Sequence, residues 1–239
     1  MESFIPLKNT PIKEIIFSIS FIENVNIDCL NRFIQLPQVK EKFTSVSQSY
    51  HTNIQNLDKI PEASISSDGY ILKTDQNNNQ IIQARKGSFS FHKVKEYESF
   101  DTLLGEFKDF WLCLKSCTGD LSVSNISVRY LNFIEKEVNE KIDELVTVYS
   151  KHPFSIDVNA FIHLRFNYPQ NAAVLVNLVS AKGNESSKDG IILDINLNRE
   201  LSSEKNDETI FNLIYDFRNI KNEIFFMSIT EKTKEKFNS

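Results

Sequence analysis

Period-two hydrophobic runs recur along this 239-residue chain, and each group of about three is followed by one long helical stripe. That succession constrains the fold most, because one-sided strands and one-sided helices must bury their apolar faces against each other. Residues 12–22 open the pattern. Ile15, Phe17, Ile19 and Phe21 alternate with Ile16, Ser18, Ser20 and Ile22, which predicts a strand with one fully apolar face. Residues 26–43 read as a short helix that breaks at Pro37 and restarts there, since proline suits the first helical position. Residues 45–64 are polar and weakly patterned, a long exposed loop or an irregular strand. An antiparallel set follows at 68–75, 81–87 and 88–94, punctuated by an Asn-rich turn and Gly87.

Residues 99–116 give the strongest helical signal. Ser99 stands ready to cap it, Asp101 sits in its first turn, and Phe100, Leu103, Leu104, Phe107, Trp111 and Leu114 form one stripe. Residues 123–135 return as a strand. A charged connection with a short helix near 139–146 leads to three further strands at 156–166, 172–181 and 190–197. Asp207 begins a second long helix with the stripe Ile210, Leu213, Ile214, Phe217 and Ile224, and Ser228 with Glu231 has capping-box spacing. The expected fold class is therefore α+β: two degenerate β-β-β-α halves, 1–136 and 137–239, forming one compact unit, with short turns implying antiparallel sheet and long helices on one face.

The formal net charge of −5 argues against a general nucleic-acid coat, which needs many cations on phosphates. Cys29, Cys113 and Cys117 are too few and too irregularly spaced for a disulfide framework or a zinc site, and read as buried reduced thiols. No secretory leader and no apolar run of membrane-spanning length are apparent, so a cytoplasmic protein without membrane contact is expected. Gly-rich phosphate loops and the G-x-S-x-G elbow are missing from the sequence, and no cofactor, metal or catalytic residue is assigned.

Two places carry candidate binding residues. On the strand 126–134, alternation puts Ile126, Val128, Tyr130, Asn132 and Ile134 on one face and Ser127, Arg129, Leu131 and Phe133 on the other. Arg129, Tyr130 and Asn132 thus bring polar groups to or beside a core. Arg129 either grips a carboxylate or phosphate bidentately or makes a structural ion pair, for instance with Glu14. The second place is the hairpin 79–97. There Arg85, Lys86, His92 and Lys93 interleave with Phe89 and Phe91, a pattern that can stack unpaired bases or simply present a wet and a buried face. His92 and His163 each lie beside a cation, as an anion site or acid/base would require.

Four segments, in order, resemble an uncharacterised prokaryotic family described as "sporadically distributed protein". They are NTPIKEIIFSISF, FSFHKVKEYESFDTLLGEFKDFW, ISVRYLNFIE, and LDINL followed by FFMSITEKTKEKF. The chain departs from that family at Phe100, where Trp is common, and at Asp216-Phe217, where Leu-His is common. The resemblance implies architecture and patchy bacterial distribution more than mechanism. The expected function is a non-enzymatic accessory protein that binds another protein, in a setting such as a defence or toxin–antitoxin complex. An RNA- or ssDNA-binding module at 79–97 is the alternative, and a nuclease-like enzyme around Arg129, His92 or His163 the second.

Overall fold

The computed structural model describes residues 7–55, 62–75, 79–95, 97–149, 161–168, 172–181 and 188–239. Its elements in chain order are β1 (Ile12–Phe21), α1 (Ile27–Gln35), α2 (Pro37–Lys42), β2 (Ser45–Gln55), β3 (Glu62–Lys73), β4 (Gln80–Arg85), β5 (Ser88–Val94), α3 (Phe100–Thr118), β6 (Val123–Glu135), α4 (Ile142–Leu145), β7 (Phe161–Tyr168), β8 (Ala172–Ala181), β9 (Gly190–Glu204), α5 (Asp207–Ser228) and α6 (Glu231–Asn238). The fold is α+β. Among the described residues the strands follow the order β2-β3-β4-β5-β1-β6-β9-β8-β7, so β2 and β7 are the outermost.

The chain groups into two compact units. One comprises residues 1–15, 127–200 and 211–239, the other 16–126 and 201–210. The boundary therefore runs through β1, β6, β9 and α5 and does not fall at 136/137. Strands distant in sequence are neighbours in the sheet, so chain order is a poor guide to which residues pack together.

In the unit of residues 16–126 and 201–210, the phenyl-rich composition becomes a ring cluster. Phe17 stacks on Phe107 at 5.4 Å and meets Phe100 edge-on at 5.5 Å. Phe89 lies parallel to Phe107 at 5.9 Å and Phe91 to Phe110 at 6.2 Å. All but Phe110 of these rings are essentially excluded from water. Each such ring contributes about 1.5–3 kcal/mol through burial, and close pairs add to that. The cap on α3 is as expected: Ser99 Oγ accepts from the Thr102 N–H at 3.0 Å. Trp111 Nε1–H and the Lys115 ammonium both donate to Asp207, each at 2.8 Å, which ties α3 to the start of α5.

One local expectation is resolved and two need correction. Residues 45–55 form a strand, β2, paired with β3 through a register shift at Ser49/Tyr50. This is the irregular strand of the two alternatives, and its pattern is weak because β2 is outermost among the described strands, with Val46 and Tyr50 exposed. Opposite that shift lies Gly69, with φ +150°, where a Cβ would fall 2.1 Å from the Ala84 carbonyl oxygen. Only glycine fits such a bulge. At the C-terminal end, Ser228 is inside α5, donating to the Ile224 carbonyl, and Thr230 is the cap of α6, accepting from Thr233 N–H. The three cysteines are free, but half-buried where full burial was expected. The turn at 76–78 and the predicted strand start at 156–160 lie outside the described residues.

In the other unit, α6 is held by charge. The Lys236 and Lys232 ammonium groups each stand 3.1 Å from the Glu140 carboxylate, and Lys236 also donates to the Glu135 carbonyl. Burial works against ionisation of Glu140, but the Glu137 N–H and the two lysines hold its pKa down at about 2. A carboxyl depressed from 4.5 contributes stability that is complete above pH 4.5 and is lost as pH falls towards 2. Acid titration followed by circular dichroism should therefore show the wild type losing stability across that window. In Glu140→Gln this component of the pH slope should be missing.

Candidate functional site

The polar strand of the sequence, β6, is where the first unit concentrates its chemistry. Its faces divide as alternation requires. Val128, Tyr130, Asn132 and Ile134 are buried, against the side that carries the buried β8 and β9 residues Val174, Val176, Leu178, Leu193, Ile195 and Leu197. Asn132 satisfies itself within that layer, donating from Nδ2 to the Leu193 carbonyl at 3.0 Å. Tyr130 has its ring under the Lys221 ammonium of α5, 4.6 Å from the centroid. Both residues are thus packing elements.

Arg129 points to the opposite face and is paired there with Asp194. Its Nε and Nη2 each donate at 2.8 Å to the two oxygens of Asp194 on β9, the fork geometry that guanidinium and carboxylate share. The bonds to Asp194 hold the guanidinium pKa up against the cost of burial, and Glu14 adds a more distant attraction. The expected partner, Glu14, is therefore the lesser one. Asp194 is buried and Arg129 partly exposed.

The network continues outward across the sheet. Asn177 of β8, directly opposite Asp194, donates from Nδ2 to Asp194 Oδ2 at 3.0 Å. His163 of β7, directly opposite Asn177, has Nδ1 2.6 Å from Asn177 Oδ1. Arg129, Asp194, Asn177 and His163 thus form a hydrogen-bonded row over four adjacent strands. The direction of each bond follows from donor inventory. The carboxylate of Asp194 only accepts, so Asn177 must turn its NH₂ towards it and its carbonyl towards the ring. His163 must then carry a proton on Nδ1, which leaves Nε2 as the outward nitrogen. Among the described residues Nε2 has no partner.

Among the described residues β7 is the last strand of its side of the sheet. Phe161 is 67% exposed, Leu164 38% and Phe166 40%. The register places Phe161, His163 and Arg165 on the face of the polar row, and Leu164 and Phe166 on the other. The β7 end of α5 is secured by Tyr168, whose hydroxyl donates to Glu223. That bond and burial both push the tyrosine pKa up.

The hairpin residues come out differently. Arg85 pairs with Asp68 at 3.2 Å and donates to Gln83 at 2.9 Å. His92 meets Ser90 and Gln83, Lys86 is half-buried, and Lys93 is buried. Phe89 and Phe91 are fully buried beneath α3, so neither ring has a face free to receive a base. Their alternation is that of an inward face. Arg129 and His163 belong to one unit and His92 to the other. Among the described residues, no group of three or more His, Cys, Asp or Glu side chains is placed to hold a metal ion, and no helix is long and apolar enough to cross a membrane.

Sequence reasoning missed Asn177 and Lys221 and undervalued Asp194. Asp194 interrupts the apolar run Ile191–Ile195, and Lys221 occupies the stripe of α5 between Phe217 and Ile224. Both were visible as polar residues at core positions. Compared with known proteins, the chain matches no family model and no curated protein sequence.

Proposed function

We propose that this chain is a binding protein that engages another macromolecule through β7, with no catalytic step of its own. The observation that carries the reading is the exposure of Phe161, Leu164 and Phe166 on β7, an outermost strand among the described residues. Large apolar groups on both faces of an edge strand are a liability that proteins ordinarily suppress with charge, proline or cover, and they are retained where a partner binds. Arg129, the residue best suited to grip a substrate anion, is occupied by Asp194, which favours a structural role for it. An accessory subunit of a bacterial assembly fits this reading, as the family resemblance suggests. We also read the two halves as degenerate copies of one unit. The support is the similar succession β1, α1, α2, β2-β3-β4-β5, α3 and β6, α4, β7-β8-β9, α5, in which the first half carries one more helix and one more strand.

The test is affinity capture at native expression, comparing wild type with a Phe161→Ser/Phe166→Ser variant shown by circular dichroism to be folded. Wild type should retain a stoichiometric macromolecule that the variant loses. Equal retention by both, or none by either, contradicts the reading.

A further inference from the structure

We propose that the occupant of β7 is a second copy of this chain, joined edge to edge about a two-fold axis at Leu164. The inference rests on β7 being the binding strand and names what binds there.

The first argument is the core face. Ile162, Leu164 and Phe166 stand directly opposite Leu178, Val176 and Val174 of β8, all three of which are buried. The apolar layer of β8 and β9 therefore runs on to β7 and ends there with Leu164 and Phe166 exposed. An occupant that adds only a strand satisfies the backbone edge and leaves this layer open. A second β7 closes both, because a two-fold axis normal to the sheet sets the core faces of the two copies on one side.

The second argument is register. Residues opposed across an antiparallel pair share a face, so in a two-fold pair one residue of β7 must stand opposite its own copy. Centred on His163 the strand pairs only over 161–165, and centred on Phe166 only over 164–168. Centred on Arg165 it pairs over 162–168, but two guanidinium groups then meet, and like charges directly opposite destabilise. Centred on Leu164 it pairs over 161–167 and avoids that clash. Ile162 then faces Phe166 and Leu164 faces Leu164, apolar against apolar throughout the core face. On the other face Arg165 forms no ion pair among the described residues. This register sets it opposite His163 of the second copy, whose outward Nε2 is an acceptor, with Phe161 of that copy one diagonal step away.

The third argument is area. A phenylalanine buries about 150–250 Å², so Phe161 and Phe166 leave about 200 Å² open on each copy. With Leu164 and the strand edges, pairing covers about 1,000 Å² in total, the lower limit of a specific interface and the size of a concentration-dependent one.

The test is sedimentation velocity of the full chain from about 1 to 100 µM, the range in which so small an interface assembles. The mass should rise from 27.6 kDa towards twice that. Leu164→Lys sets two ammonium groups against each other on the axis and should weaken the dimer by about tenfold or more, with circular dichroism unchanged. Ile65→Lys, exposed on β3, should leave the dimer intact. A chain monomeric throughout, or a dimer untouched by Leu164→Lys, overturns the proposal. Cross-linking reads the register independently of that variant. Under mild oxidation, and above the wild-type background, Leu164→Cys should form an inter-chain disulfide; Arg165→Cys, whose two copies are offset along the strands, should not. Cross-linking of Arg165→Cys in preference, or of neither, overturns the axis at Leu164. In affinity capture the stoichiometric macromolecule should then be the untagged chain. If the chain is monomeric and capture through β7 returns a different protein, only this inference fails; if capture also fails, the binding role of β7 fails with it.

Discussion

Lys221→Met should stabilise the protein at pH 7, by no more than about 3–4 kcal/mol. Lys221 is buried in the α5 stripe beside Ile220, Ile224 and Phe225, and the described residues offer it no carboxylate. Burial, and secondarily the charge of Arg218, lowers its pKa from 10.5 to about 8. At roughly 1.4 kcal/mol per pH unit, that gap sets the upper bound just given. The Tyr130 ring offsets part of the desolvation, and methionine keeps the volume while removing the charge. The sign of the pH dependence follows. A lysine with a lowered folded pKa binds fewer protons when folded, so its penalty is complete below pH 8 and disappears as pH rises towards 10.5. Urea titrations should show wild-type stability climbing between pH 8 and 10.5 and Lys221→Met lacking that climb. A destabilised variant at pH 7 would mean the ammonium has a partner and is not a buried cost.

The opposite sign is expected at the polar row. Among the described residues, Arg129→Leu leaves the buried Asp194 carboxylate with only the Asn177 amide, and should cost about 2–3 kcal/mol. The figure is at the low end for a broken buried pair because the Arg129 side chain is 43% exposed. Asp194→Leu should cost a similar amount. The double variant should recover most of the loss, because apolar replacements leave no stranded charge. Denaturant midpoints for the four proteins close the cycle. An Arg129→Leu variant of unchanged stability that had lost binding would make Arg129 a ligand-gripping residue and not a structural one. The double variant should also release Asn177, so His163 should lose its fixed proton even where stability returns.

How far this was legible in the sequence differs by feature. The helix 99–116 and the strand 12–22 declare themselves because their periodicity is long and their caps are local, as Ser99 shows. The faces of 126–134 follow from alternation alone. What the sequence does not carry is which strands are neighbours. β6 pairs with β9, some 60 residues away, so Arg129 could be seen as needing an acid while Glu14 looked as eligible as Asp194. The same limit hides Asn177 and His163, whose roles exist only once β7, β8 and β9 lie side by side. For β2 the sequence left loop and irregular strand open, because an exposed edge strand has no buried face to impose a pattern. Phe89 and Phe91 fit two readings at once, and only their burial under Phe107 and Phe110 separates an inward face from a stacking platform.

Amide hydrogen exchange on the full chain, with and without the macromolecule captured at native expression, tests the binding role of β7 most directly. Protection should rise at residues 161–168 when the partner is present and be absent in the Phe161→Ser/Phe166→Ser variant. Unchanged exchange at 161–168 with new protection confined elsewhere would contradict the account.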